Sequence, residues 1–292
     1  MSALQRFLAP ALPLARVAWL RVVIYLYVVF DVLVVVRDPI AHGAVPVELY
    51  HPVIARELLG FPAPSPGYVQ VLRAVLIASA LIAATGRLPR LAGAVCAIAM
   101  FDWITNAFSY SKIDHDHYAL MIALLVLPTV GRARFADVGV LSQAAGWALR
   151  SIQMSAVSMY FLSAWAKMRF GTWGWANGST LIWALTRRPN GIAPWIGARP
   201  ELTHALQWLI LVAEFLSPLL LWARGRALLL GLGFFLGFHA STYYLLRIHF
   251  LPLVVCLTAF MPMERIPAWW ARRRPIGRAH PPGAPAAPSS AR

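Results

Sequence analysis

Charge is scarce in this chain. Of its 292 residues, 13% are charged and 60% are hydrophobic, with a mean hydropathy of +0.64. Soluble domains carry about 25% charged residues. The composition therefore excludes an ordinary soluble domain and points to an integral membrane protein. Lysine is scarcer still: Lys112 and Lys167 are the only two, and the remaining basic residues are arginines. Cys96 and Cys256 are the only cysteines, and each sits inside an apolar run. With no CxxC or zinc spacing, they read as small buried hydrophobes, not a redox or metal pair. His115 and His117 form an HxH with no further ligand at useful spacing, so no metal is expected. The N-terminal apolar stretch lacks a small-residue cleavage site and reads as a retained first span.

The net charge of +15 could suggest nucleic acid. The arginines instead fall between apolar runs and in a terminal tail, the pattern that sets membrane topology. The partner expected from this pattern is membrane lipid, with no nucleic acid.

The apolar runs predict an all-α polytopic bundle of about eight spans. They lie at roughly Leu14–Val36, Tyr68–Thr85, Leu91–Tyr110, Tyr118–Val130, Trp147–Phe170, Leu202–Trp222, Ala227–Leu246 and His249–Met263. Residues 37–67 are rich in Pro, Gly and His and form a long loop, with a short interfacial helix around Pro52–Leu59. Residues 171–200 are Trp-rich and suit the membrane interface, as a lid or as an aromatic belt. Gly233 and Gly237 allow close helix approach. Residues 1–263 read as one transmembrane domain, and 264–292 as a basic Pro/Ala-rich tail expected to be disordered.

With the N-terminus in the cytoplasm, Arg87/Arg90, Arg132/Arg134, Arg224/Arg226 and the tail all fall inside. Both termini are then cytoplasmic and the Lys112 turn is outside. Localisation is the plasma (inner) membrane.

The segment from Gln153 to Lys167 stands out. Gln153, Tyr160 and Lys167 recur every seven residues, two turns less about 20°, and so share one stripe of an otherwise apolar helix. Two readings of Lys167 stand. Either it ends its span and snorkels to the headgroups, or it is an intramembrane functional group. Arginine serves elsewhere in the chain, and only lysine can lose its proton to act as a base. By depth, Asp31, Asp102, Asn106, His117 and Lys167 fall in the outer half. Glu214 and His239 fall near the middle, and Tyr243 lies one turn further out. The expectation is one polar cavity opening outward, with Lys167 near its mouth and Glu214 and His239 near its floor. Each acid or histidine also has a structural reading, as a helix-to-helix hydrogen bond or ion pair, and Gln153 reads as structural.

The run Tyr160-Phe-Leu-Ser-Ala-Trp-Ala-Lys167-Met, followed by Trp173 and Asn177-Gly178, resembles the membrane domain of vitamin K-dependent gamma-carboxylases. This is the HTTM (horizontally transferred transmembrane) family, which includes bacterial proteins resembling the sporulation-delaying-protein maturation factor B. Further similarities are Arg21 and Asp31 in the first span, Asp116-His117-Tyr118-Ala-Leu120, Gln153, Glu214 with Pro218, and Phe238-His239. The likeness covers roughly residues 14–262 as spaced single residues.

The resemblance implies that Lys167 is a general base acting on a reduced quinone, vitamin K hydroquinone or menaquinol-like. In the carboxylases, oxygen converts the quinol to an epoxide, and the strong base formed on the way removes a γ-proton from a peptide Glu that then captures CO2. His239, His117 and Glu214 would assist. Tyr160, Trp173, Tyr243, Asp102 and Asn106 would line the quinone pocket. Two departures separate this chain from the carboxylases. Ala166-Lys167 stands where they often have two lysines, and the sequence ends soon after the eighth span, where they continue into a large lumenal domain. Quinol-dependent modification or maturation of a peptide or small substrate at the outer face is the resulting expectation. The alternatives are a non-enzymatic partner in peptide export or immunity, and a transporter, which would need a polar path to both sides.

Overall fold

A computed structural model of the chain describes residues 2–110, 113–188 and 190–266. Lys112, with its expected outer turn, and most of the expected tail (267–292) lie outside the described residues. Among the described residues, thirteen α-helices follow one another in chain order. The first five are α1 (Ala3–Leu8), α2 (Leu14–Phe30), α3 (Asp38–His42), α4 (Ile54–Leu58) and α5 (Pro66–Ala84). Next come α6 (Pro89–Phe108), α7 (Tyr118–Val126), α8 (Gln143–Gly171) and α9 (Ser179–Arg187). Last are α10 (Ala193–Gly197), α11 (Pro200–Leu216), α12 (Gly225–Leu246) and α13 (Leu251–Cys256). Strand is confined, among the described residues, to a two-residue antiparallel pair in which Leu12 and Pro13 face Ser142 and Leu141.

Local sequence starts the helices. Ser65 caps α5 by accepting from the Tyr68 amide, with Pro66 in the first turn, where its missing N–H costs nothing. Ser142 caps α8 through the Ala145 amide. α2 ends differently from the expected uninterrupted span to Val36. At Asp31–Val35 it widens into a π-turn, closed by a 2.7 Å bond from the Val36 amide to the Asp31 carbonyl. Such π-turns recur at functional sites.

Among the described residues, five helices are long and apolar enough to cross a membrane: Leu14–Val35, Pro66–Ala84, Pro89–Phe108, Pro200–Leu221 and Gly225–Leu246. The chain is a multi-pass membrane protein. His115–Val130 and Leu251–Phe260 are shorter apolar helices. The 29-residue α8 is longer than a bilayer requires, yet it is not among the five. The reason is polar content met from within the protein. Arg150 donates to the carbonyls of Phe7 and Leu221, and Gln153 donates to that of Ala259 at 2.9 Å. The Ser217 hydroxyl donates to the Val157 carbonyl at 3.0 Å. A helix packed on α7, α11 and the C-terminal turns can be less apolar than one facing lipid.

The core gathers α2, α5, α6, α7, α8 and α13, around fully buried Trp103, Tyr25, Met100 and Leu124. Gly146 is the point of closest approach to the N-terminal segment: a Cβ there would lie 1.5 Å from the Pro10 carbonyl oxygen. At this basic end, Arg16 forms a two-pronged ion pair with Glu264 at 2.7 and 2.9 Å. Glu264, where a disordered tail is expected to begin, is thus an anchored residue whose side chain is 4% exposed. The opposite end carries Asp31, Asp38, Asp114 and Asp116 together with α3, α4, α9 and α10.

Candidate functional site

Lys167 meets Glu214. A helical side chain leans towards the helix N-terminus, so Lys167, near the end of α8, reaches back into the bundle and donates to the Glu214 carboxylate of α11. Ser163, one turn earlier on α8, lies beside that carboxylate. The Glu214 side chain is 6% exposed and that of Lys167 22%, so the pair is buried on the acid's side and open on the amine's. The Trp175 ring covers the amine, its centroid 4.9 Å from Nζ, a cation–π distance. Trp175 is held in place by Gln207, which is buried and donates to the Trp175 carbonyl at 2.8 Å. Beside it Trp173 stacks on Trp208 at 5.9 Å, and Trp208 donates to His204 at 2.9 Å.

Two turns below Lys167 on α8, the Tyr160 hydroxyl is 2.7 Å from Nε2 of His239 on α12. Phe235, one turn before His239, stacks on the Tyr160 ring at 4.1 Å, and Phe250 lies 5.3 Å from the imidazole. Among the described residues, the buried Nδ1 of His239 has no hydrogen-bond partner. Glu214 lies within electrostatic range of Tyr160, and Asp116 within range of His239. The two pairs therefore form one polar seam between α8, α11 and α12.

His117 belongs to a second cluster. Its Nε2 is 3.1 Å from Asp31 at the start of the π-turn, and its Nδ1 is 3.1 Å from Asp116. Tyr27 donates to Asp31 at 3.0 Å. Both ring nitrogens are thus held by carboxylates, and His117 is buried.

Asp102 stands in a third cluster. It is ion-paired with Arg56 of α4 and accepts from the Tyr68 hydroxyl. Arg56 is fully buried and also donates to the Asp102 and Pro62 carbonyls, both at 2.8 Å, and to the Tyr50 hydroxyl at 2.6 Å. Burial works against the Arg56 charge, but the Asp102 carboxylate outweighs it and holds the guanidinium's pKa above its ordinary value. Asn106, one turn on, is buried against His42, and neither end of its amide has a well-formed hydrogen bond.

The single outward cavity expected from depth is therefore resolved into separate clusters. Lys167, Glu214, Tyr160 and His239 come together; His117, Asp102 and Asn106 do not join them. Trp173 is 64% and Tyr243 54% exposed, so both stand on the surface and not in a shared pocket. A cavity of about 430 Å³ does open at the acidic end, but among the expected site residues only His117 lines it. A second, apolar groove of about 320 Å³ runs between α11 and α12 towards the basic end, past Leu216, Leu220 and Phe234. Depth along a span can be counted from sequence, whereas the face a residue turns to depends on how its helix packs. The roles of Gln207 and Arg56 are not legible in the sequence, because each is defined by a partner distant in the chain; Trp175 is only eight residues from Lys167, but the turn after α8 is what brings its ring over the amine. The sole signal was the Trp density of residues 171–200.

No protein family, curated protein or solved structure matches the chain.

Proposed function

We propose that this is an inner-membrane protein of the HTTM, gamma-carboxylase-like kind. In this reading the chain crosses about eight times, with α8 and the two shorter apolar helices completing the spans and the basic end cytoplasmic. The seam around Lys167 takes a reduced quinone from the lipid and supports modification or maturation of a peptide or small substrate at the outer face. The observation that carries this reading is the Lys167–Glu214 pair, half open beneath Trp175 and adjoining the Tyr160–His239 pair.

The residues fit such a group. Trp175 and the Trp173–Trp208 stack offer flat aromatic surface, and the unpartnered Nδ1 of His239 is a buried polar atom that a ligand oxygen could satisfy. When bound, a quinol supplies acidic hydroxyls and reducing equivalents. The protein's part is proton handling. In this reading Lys167, a lysine and not an arginine, is the group that exchanges a proton with a ligand hydroxyl, with the Glu214 carboxylate beside it. With the Tyr160 hydroxyl donating to Nε2, His239 carries its proton on Nδ1 and can donate it towards the negative charge left behind, while Phe235 and Phe250 exclude water.

The closed ion pair itself favours a second reading, in which Lys167 is a charge clasp between α8 and α11 in a non-enzymatic partner protein. Purified protein titrated with a hydroquinone analogue across pH separates the two. Wild type should bind saturably and deprotonate the analogue, and Lys167→Ala and Lys167→Arg should both lose the deprotonation, because arginine cannot serve as a base. Deprotonation intact in both variants would remove Lys167 from the chemistry. Absence of saturable binding in wild type would leave the clasp reading.

A further inference from the structure

The cavity of about 430 Å³ at the acidic end takes no part in the seam around Lys167. Its charged lining comes in two signs from different parts of the chain. Asp38 opens α3, and Asp114 and Asp116 precede α7; Arg188 closes α9 and Arg247 closes α12. Among the described residues, Arg188 donates to the Leu246 carbonyl at 3.5 Å, and Arg247 donates to the Asn190 side-chain oxygen at 3.3 Å and lies 6.0 Å from the Tyr243 ring centroid. A guanidinium carries five N–H donors in a fork that matches an oxyanion, so each has donors beyond these contacts. At the floor, His117 is fixed between Asp31 and Asp116, so Asp116 joins the acidic wall with its Oδ1 held by His117 and its Oδ2 outside that contact.

The rest of the lining is apolar, with Val36, Ile104 and Phe108 among it. The chain leading into the cavity is apolar and exposed as well: Leu33 and Val34 precede Val36, and Tyr243 and Tyr244 precede Arg247. Aromatic rings and long basic side chains at helix ends mark the headgroup level of a bilayer. A ligand complementary to these walls has an oxyanion, a hydrogen-bonding cation and an apolar body.

We propose that this cavity binds the headgroup of a zwitterionic phospholipid bearing a primary amine, with the phosphate on Arg188 and Arg247 and the ammonium on the carboxylates of Asp38 and Asp116. The site stands whether or not Lys167 handles a quinol. A primary ammonium donates three hydrogen bonds to carboxylates, whereas a trimethylammonium donates none. Phosphatidylethanolamine should therefore be preferred to phosphatidylcholine of the same chain length, and to phosphatidylglycerol, which lacks the cation.

The test is native mass spectrometry of the full chain, released from nanodiscs containing the three lipids in equal amounts. Phosphatidylethanolamine should be retained roughly tenfold over either competitor. Arg188→Gln and Asp38→Asn, both at exposed positions, should each reduce that preference several-fold while the protein still elutes as one folded species. Equal retention of the three lipids by wild type overturns the proposal, as does a preference unchanged in both variants. Soluble glycerophosphoethanolamine displacing the lipid at equal concentration would assign the site to a free zwitterion and overturn the lipid assignment.

Discussion

The Tyr160 hydroxyl and His239 Nε2 sit 2.7 Å apart, and the other nitrogen of that ring, buried with them, has no partner among the described residues. The imidazole is therefore positioned by α8 through one nitrogen and left free to act through the other. It depends on Tyr160 for its orientation while belonging to α12, a helix otherwise largely exposed.

Tyr160→Phe should keep the stack on Phe235 and remove only the hydrogen bond. A buried hydrogen bond lost on one side costs about 1–3 kcal/mol, read as lower thermal stability in detergent. If the bond is the main coupling between α8 and α12 here, Tyr160→Phe with His239→Phe should cost less than the sum of the two single changes. The expected coupling is about 0.5–3 kcal/mol in a double-mutant cycle. Additive effects would show that the contact does not join the helices.

Arg56 and Asp102 form a clamp that ties α4 to α6. Removing one partner of a buried pair costs about 3–5 kcal/mol, because the other charge is stranded. Arg56→Ala should therefore lower stability by that order and open the segment around residues 50–62 to limited proteolysis. Asp102→Asn, which keeps oxygen and hydrogen-bonding shape, should be the milder change. Equal protease resistance in wild type and Arg56→Ala would remove the clamp role.

Glu264 titrates with Arg16 as its partner. Burial pushes its pKa up, but the hydrogen bonds from Arg16 outweigh that, so it ends below its ordinary 4.5. A carboxylate lowered in the folded state contributes stability that is fully present above its unfolded value and is lost as pH falls through the folded one. Wild type should therefore lose thermal stability below about pH 4.5 more steeply than Glu264→Gln, and the two curves should run parallel above pH 6 or so. Identical acid profiles would show that the pair has no energetic role.

The sequence by itself determined the class of protein and most of its helices. Scarce charge and long apolar runs leave few alternatives to a helical membrane bundle, since only helices and closed barrels satisfy backbone groups in lipid. The expected spans at Tyr68–Thr85 and Leu91–Tyr110 correspond closely to α5 and α6, and the expected interfacial helix near Pro52–Leu59 to α4. The seven-residue spacing of Gln153, Tyr160 and Lys167 put three polar groups on one face of α8, and all three make polar contacts across to other segments.

Tertiary structure alone decided what those groups meet. Lys167 finds Glu214, Tyr160 finds His239, and Gln153 finds the Ala259 carbonyl, each from a different part of the chain. His117 and Asp102 share the same end of the molecule but turn to other partners, Asp31 and Arg56. Spacing within a helix fixes relative rotation among its own residues; the rotation of one helix against another follows from packing, which pairs residues tens to hundreds of positions apart. The π-turn at Asp31 belongs to the same category, because a single inserted residue re-aims the carboxylate towards His117 without any mark in local composition.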